Sequence, residues 1–350
     1  MQDNAGEAQK SGVEQFWAWF DSEPWIFEER TLWKYLAKRF GFNKAEELRA
    51  VFQDNYITEL DVQRVSELGL NLIRVPIWYD ALETDYAGEN YFKKEGWDRL
   101  DKIGRWARKH KVYLMLDLHG APGGQNTSWH QGLEDGGQLW TNQKCVDKTA
   151  RLWKAIANYF RGDPHIAVYD LLNEPMNVPD KETYATVHDA IYMAIRSVDQ
   201  KHIVMIEDAY LPPSMIPAPG EMGWKNAMFS IHLYPGGNSA DDYLEKIEKG
   251  ITKLKNSLDY YKRFDCPLFL GEFNAADGKD SGKWAAEGMD KTLEMLNRRG
   301  VHWAPWTWKY YSGGTIWGLY HPKQNSGYRV DVKEAGFEKI RADFEAMNSL

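Results

Sequence analysis

The chain has 350 residues, a net charge of −8 and a hydrophobic fraction of 43%, enough apolar material for one large domain or two modest ones. The negative balance argues against nucleic acid as a partner, and no apolar run approaches the roughly 20 residues needed to span a membrane. Aromatic residues make up 14% of the chain, with 16 Trp among them, and such flat rings with polar tips suit the faces of sugars or bases as well as a core.

The opening MQDNAGEAQKSG is polar and lacks the apolar centre of a signal peptide. Residues 1–15 are expected to be a flexible segment ahead of a single domain over 16–350, and a monomer is expected. Secretion would require a leader already removed; otherwise the chain would be cytoplasmic. Cys145 and Cys266 lie far apart and read as structural thiols rather than a disulfide. There is no HExxH, no cysteine cluster and no GxxxxGK, so neither a metal nor an organic cofactor is expected. The triplet NTS at Asn126 matches a glycosylation sequon, a pattern common by chance.

Taken in order, a helix over ITELDVQRVSELG (57–69) leads to a strand over LNLIRVPI (70–77) and a helix over 96–110. Strand VYLMLDLH (112–119) is followed by a helix over 141–162, and strand IAVYDLLN (166–173) by a helix over 181–199. Strands HIVMIED (202–208) and AMFSIHLY (227–234) precede a helix over 242–263. Strand CPLFLGEF (266–273), a helix over 283–300 and strand VHWAPWTWKYY (301–311) complete the series. Strands apolar on both faces, alternating with long helices, indicate parallel pairing. Seven are visible, one short of a closed (β/α)8 TIM barrel, the expected fold, with an N-terminal helical extension. The eighth strand should precede residue 57, where FWAWFDSEPWIF (16–27) is a poor strand signal. A doubly wound open sheet is the alternative.

In a barrel, chemistry sits at the C-terminal strand ends. Those ends carry Arg74; Asp117 and His119; Asn173 and Glu174; Glu207 and Asp208; His232 and Tyr234; Glu272; and Trp306 with Trp308. Each alone could be a satisfied polar residue, but the whole rim is ionisable or aromatic. Cutting a glycosidic bond takes two carboxyl groups, one protonated and one ionised. Glu174 and Glu272 stand at analogous strand ends, and Arg74 and Tyr234 could hold the ionised partner. Arg74 needs a buried carboxylate partner, for which Glu272 is the natural choice. Asp117 could support His119. Glu207 and Asp208 are also acidic and are expected to serve structure or the substrate rim. Trp308 shares a side with Trp306 if the segment is extended, and Trp129, Trp140 and Trp317 fall in loops that could offer further stacking surfaces. HGAPGGQN reads as a turn whose glycines also allow close approach to a ligand.

GLNLIRVPI, LDLHGAPGGQN, LLNEP, IHLYP, LFLGEF and WTWK, in that order, resemble glycoside hydrolase family 5, the retaining (β/α)8 hydrolases. The resemblance implies Glu174 as acid/base and Glu272 as nucleophile. It also implies Arg74, His119, Asn173, His232, Tyr234 and Trp306 as the ring around the sugar being cleaved. EPWI (23–26), TLWKYLAKRFG (31–41) and DNYITELD (54–61) look closest to the exo-β-1,3-glucanase branch, although FWAWFDS stands where that branch has Gly-Gly-Trp. The expected activity is therefore hydrolysis of β-glucosides or β-glucan with retention. An endo-β-1,4-glucanase, mannanase or transglycosylase is the alternative within the family, and a non-catalytic carbohydrate-binding barrel the alternative outside it.

Overall fold

The computed structural model describes residues 29–83, 92–133, 136–208, 211–256, 265–275, 281–309, 318 and 335–348. Among the described residues three helices come first: α1 (Glu29–Phe40), α2 (Phe42–Tyr56) and α3 (Glu59–Glu67). Then follow β1 (Leu72–Trp78), α4 (Lys94–His110), β2 (Tyr113–Gly120), α5 (Gln143–Phe160), β3 (Ile166–Asp170), α6 (Lys181–Arg196) and β4 (Ile203–Glu207). A short α7 (Pro219–Met222), β5 (Ala227–Leu233), α8 (Ala240–Asn256), β6 (Leu268–Phe273), α9 (Ala285–Arg299), β7 (His302–Trp303) and α10 (Phe337–Glu345) complete the order. The candidate first strand at 16–27 and the segment 1–15 lie outside the described residues.

The helices form where apolar residues recur at helical spacing. In α5, Val146, Thr149, Leu152, Trp153, Ile156, Ala157 and Phe160 are buried along one stripe, and Asn142 caps the start by accepting from the Lys144 N–H at 3.1 Å. Asp180 does the same for α6, accepting from Thr183 N–H at 2.7 Å.

All six described strand pairings are parallel and run in chain order, β1 to β7. A doubly wound sheet would reverse its strand order at a switch point, and this one does not. The sheet curls until its two ends share partners. Lys309, just beyond β7, donates to Tyr56 O at 2.8 Å and pairs with Asp61 at 2.9 Å, on the helices that precede β1. Met115, Val168, Met205, Met228 and Phe269, one from each of β2 to β6, pack together as the inner layer of the barrel. The larger outer core lies between strands and helices.

The last strand is shorter than its sequence suggests. Pro305 lacks the N–H a ladder needs, so regular pairing stops at Trp303. Ala304 and Trp306 nonetheless donate to Leu270 O at 2.9 Å and Phe273 O at 3.0 Å, carrying the chain along β6 to the rim.

Candidate active site

Side chains two residues apart on a strand face the same way. One step above the apolar layer, therefore, Leu72 gives way to Arg74, Met115 to Asp117, Val168 to Asp170 and Met205 to Glu207. Asp117, Asp170 and Glu207 have no exposed surface, so a polar layer lies across the barrel interior. Arg74 is its hub. It donates to Glu272 Oε1 at 2.7 Å, Asp170 Oδ2 at 2.8 Å, Asn173 Oδ1 at 2.8 Å and Glu207 Oε1 at 3.0 Å, and lies 3.2 Å from Asp117. Burial works against its charge, but the surrounding carboxylates raise it well above the ordinary guanidinium value. Asp170 is pushed well above the carboxylate range by burial and by Glu207, against the pull of Arg74.

Glu174 follows β3 through Leu171, Leu172 and Asn173 and adopts a left-handed φ of 44°, uncommon for a residue with a Cβ. Three side-chain bonds fix the turn. Glu207 Oε2 accepts from Glu174 N–H at 2.7 Å, Asn126 Nδ2 donates to Glu174 O at 2.9 Å, and Gln125 Nε2 donates to Asn173 O at 2.7 Å. The loop HGAPGGQN thus clamps the turn that carries Glu174. Pro175, with no N–H, ends the ladder there.

The Glu174 carboxyl meets His232 Nδ1 at 2.8 Å and His130 Nε2 at 3.3 Å. Glu272, inside β6, accepts from Arg74 and from the Tyr234 hydroxyl at 2.9 Å, one on each oxygen, the arrangement an ionised carboxylate satisfies. Glu174, His232 and Glu272 offer atoms that all lie within 4.8 Å of one another. Three such donors could share a cation by distance. Here, however, His232 is already bonded to Glu174, and both Glu272 oxygens are already occupied as acceptors.

Electrostatics ties the group together. Burial would strip the proton from His232, but Glu207, Glu272 and the bond to Glu174 hold it well above the imidazole range. Burial raises Glu174, and the hydrogen bond and charge of His232 outweigh it, leaving that carboxyl below its ordinary value. Burial keeps Glu272 above the ordinary value against His232 and Arg74. His119, whose Nδ1 lies 2.8 Å from Asp117, is raised by that acid despite burial and stacks on Trp306 at 5.4 Å between ring centres. Burial lowers His130 to about 4, so it faces Glu174 as a neutral ring.

A cavity of about 1180 Å³ opens onto His119, His130, Glu174, Tyr234, Glu272 and Trp306. Of the expected positions, Arg74, His119, Asn173, Glu174, His232, Tyr234, Glu272 and Trp306 converge. Trp129 lines the cavity edge-on to His130, and Trp308 lines it while donating to Asp61 at 3.1 Å. Trp140 is not at this cavity. It is buried, donates to Gln125 O and Met176 O at 2.9 and 3.0 Å, and stacks on Tyr184. Trp317 lies outside the described residues. Glu207 touches Arg74, His232 and the Glu174 backbone. His130, Asp170 and Gln125 were not anticipated. An acid two residues beyond Val168 inside an apolar strand was the legible signal for Asp170; His130 and Gln125 sit in an irregular loop that has none.

A parallel barrel carrying two carboxyl groups side by side at its C-terminal rim has the architecture of a two-carboxylate barrel hydrolase. The chain belongs to the cellulase family, glycosyl hydrolase family 5, whose model matches residues 30–312. It is 27% identical over 331 residues to a beta-xylosidase of Phanerodontia chrysosporium, covering 89% of this chain and 68% of that one. It is 27% identical over 278 residues to a probable glucan 1,3-beta-glucosidase A of Emericella nidulans, covering 74% and 65%. The chain therefore spans about two thirds of the length of these relatives. Among solved structures it superposes on AoRut with a TM-score of 0.66 at 18% identity, covering 87% and 86% of the two chains. It superposes on endo-glycoceramidase II from Rhodococcus sp. with a TM-score of 0.59 at 20% identity, covering 76% and 70%. At these identities the superpositions speak to the fold.

Proposed function

We propose that this protein hydrolyses β-linked glucosides or β-glucan with retention of configuration, Glu174 acting as acid/base and Glu272 as nucleophile. The observation that carries the reading is the closeness of the two acids, an oxygen of Glu174 lying within 4.8 Å of an oxygen of Glu272. Retaining sites hold the pair about 5 to 5.5 Å apart, whereas inverting sites leave about 6.5 to 9.5 Å for a water. Glu272, held between Arg74 and Tyr234, attacks the anomeric carbon while the leaving oxygen takes a proton through Glu174. Glu174 draws that proton from the His232 ring, whose charge keeps the Glu174 carboxyl below its ordinary value. The covalent glycosyl–Glu272 bond is then broken by a water that Glu174 deprotonates. In this reading Asn173 serves the sugar 2-hydroxyl, and Trp306, stacked on His119 and lining the cavity, provides a flat floor. The names of the relatives support β-glucoside, laminari-oligosaccharide and β-xyloside as the first substrates to try.

The test is turnover of p-nitrophenyl β-glucoside, p-nitrophenyl β-xyloside and laminari-oligosaccharides, with the anomer of the first product followed by proton NMR. A β-anomer released first, and losses of about a thousandfold in Glu174→Gln and Glu272→Gln, are expected. An α-anomer released first would overturn the double displacement. Glucose alone from chain ends would mark exo action, and mixed oligomers endo action.

A further inference from the structure

We infer that Glu207 is a positioning residue that holds His232 as an imidazolium against Glu174, so that the proton delivered to the leaving group belongs to a Glu174–His232 unit. The inference rests on the retaining-hydrolase reading for its kinetic consequence and on geometry for the rest. Glu207 is the residue that touches both ends of the unit. Its Oε2 accepts from the Glu174 backbone N–H at 2.7 Å, and its Oε1 lies 3.3 Å from His232 Nε2, at ion-pair distance. The other ring nitrogen, Nδ1, lies 2.8 Å from Glu174 Oε1. Carboxylates therefore lie near both nitrogens, Nδ1 in a hydrogen bond and Nε2 at ion-pair distance without one, and negative charge on both sides favours the protonated ring.

The surroundings leave little choice. His232 faces Glu174 beyond β3, Glu207 on β4 and Glu272 on β6, the last at 3.7 Å. Glu207 in turn faces Arg74 on β1 at 3.0 Å, with Asp117 on β2 and Asp170 on β3 sharing that guanidinium. Its own backbone carbonyl accepts from Tyr184 on α6 at 2.6 Å. His130 also lies against Glu174, but as a neutral ring. Gly271 keeps the second nitrogen tightly enclosed: a Cβ there would sit 2.8 Å from His232 Nε2 and collide with Ser230 Oγ. Consistent with this, the charges of His232 and Arg74 hold Glu207 down at about 2 despite burial, so it stays anionic throughout the working range.

An anion beside the unit raises its affinity for the shared proton. Replacing it by the isosteric amide lowers that affinity, so the alkaline limb of kcat/KM moves to lower pH. The experiment is nitrogen-15 NMR of the histidine side chains in wild type and Glu207→Gln, with His232 assigned by its loss in His232→Asn, together with pH profiles of kcat/KM. Wild type at pH 7 is expected to show both His232 nitrogens protonated, and Glu207→Gln only one. In Glu207→Gln the alkaline limb is expected to fall by about one pH unit, with a 10- to 100-fold loss at the optimum. A singly protonated His232 in wild type overturns the inference, and needs no variant to fold. So does a Glu207→Gln variant that loses rate with its alkaline limb and its His232 spectrum unmoved. If the expected spectra appear but wild type turns over no glycoside, the hydrolase reading fails while the Glu207–His232 pairing stands.

Discussion

Tyr234 and Gly271 show how much of the chemistry depends on single atoms. The Tyr234 hydroxyl donates at 2.9 Å to the carboxylate that would attack the sugar. A hydrogen bond to a charged group contributes about 1.5 to 3 kcal/mol. Its removal in Tyr234→Phe is expected to lower kcat/KM by about 10- to 100-fold. It also destabilises the ionised form of Glu272, whose value burial already raises, so the acid limb should move to higher pH. A pH profile checks both, and an unmoved acid limb would separate the hydroxyl from the nucleophile. Gly271 is required by space rather than by backbone freedom. The methyl of Gly271→Ala would press on His232 Nε2, and turnover should fall further than the unfolding midpoint does.

At the scale of elements, the curled sheet depends on a buried ion pair between segments nearly 250 residues apart. Asp61 serves three roles. It accepts from Thr58 N–H at 2.8 Å at the start of α3, from Trp308 Nε1 at 3.1 Å and from Lys309 at 2.9 Å. Both Asp61 and Lys309 are buried, so removing one leaves the other charge uncompensated. Lys309→Met is expected to cost about 3 to 5 kcal/mol, and Asp61→Asn combined with Lys309→Met to recover much of it. Urea unfolding of the double variant and of both single ones tests this, and additive losses would mean the pair is not coupled. The same contact aligns Trp306 and Trp308 beside the cavity, so the double variant should retain more activity than the single one.

For the molecule as a whole, His130 and His188 on one side and His119 and His232 on the other act at opposite ends of the pH scale. His188 is fully buried, bonds Tyr184 O through Nδ1 at 2.9 Å, and is lowered by burial from 6.5 to about 4; His130 is lowered to about 4 as well. Above pH 6.5 such a ring is neutral whether the chain is folded or not. As pH falls from 6.5 towards 4 the unfolded chain binds a proton that the folded one refuses, so stability is lost, on the order of 3 kcal/mol per ring. His119 and His232 are raised, so their contribution is complete below 6.5 and is lost as pH rises through their folded values. Thermal unfolding should therefore be most resistant near neutrality. His188→Phe should flatten the acid side while leaving the alkaline side in place, and an unchanged acid slope would remove His188 from the account.

The strand–helix alternation, the parallel class and the convergence of Arg74, His119, Asn173, Glu174, His232, Tyr234, Glu272 and Trp306 were legible in the sequence. Buried parallel strands are continuous apolar runs, and a polar residue at the end of one has few reasons to be there. Trp140 could not be told from a surface ring, because a loop carries no periodicity to say which way it faces. Asp170 and Glu207 could not be given their places either, since a strand shows which face a residue shares but not which neighbours lie across the barrel. The chain by itself determined the strands and the carboxyl pair, through patterns that repeat within a few residues. Only the tertiary structure decided which acid holds which base, because Arg74, Glu207 and His232 meet across a closed interior where burial leaves each charge dependent on the others.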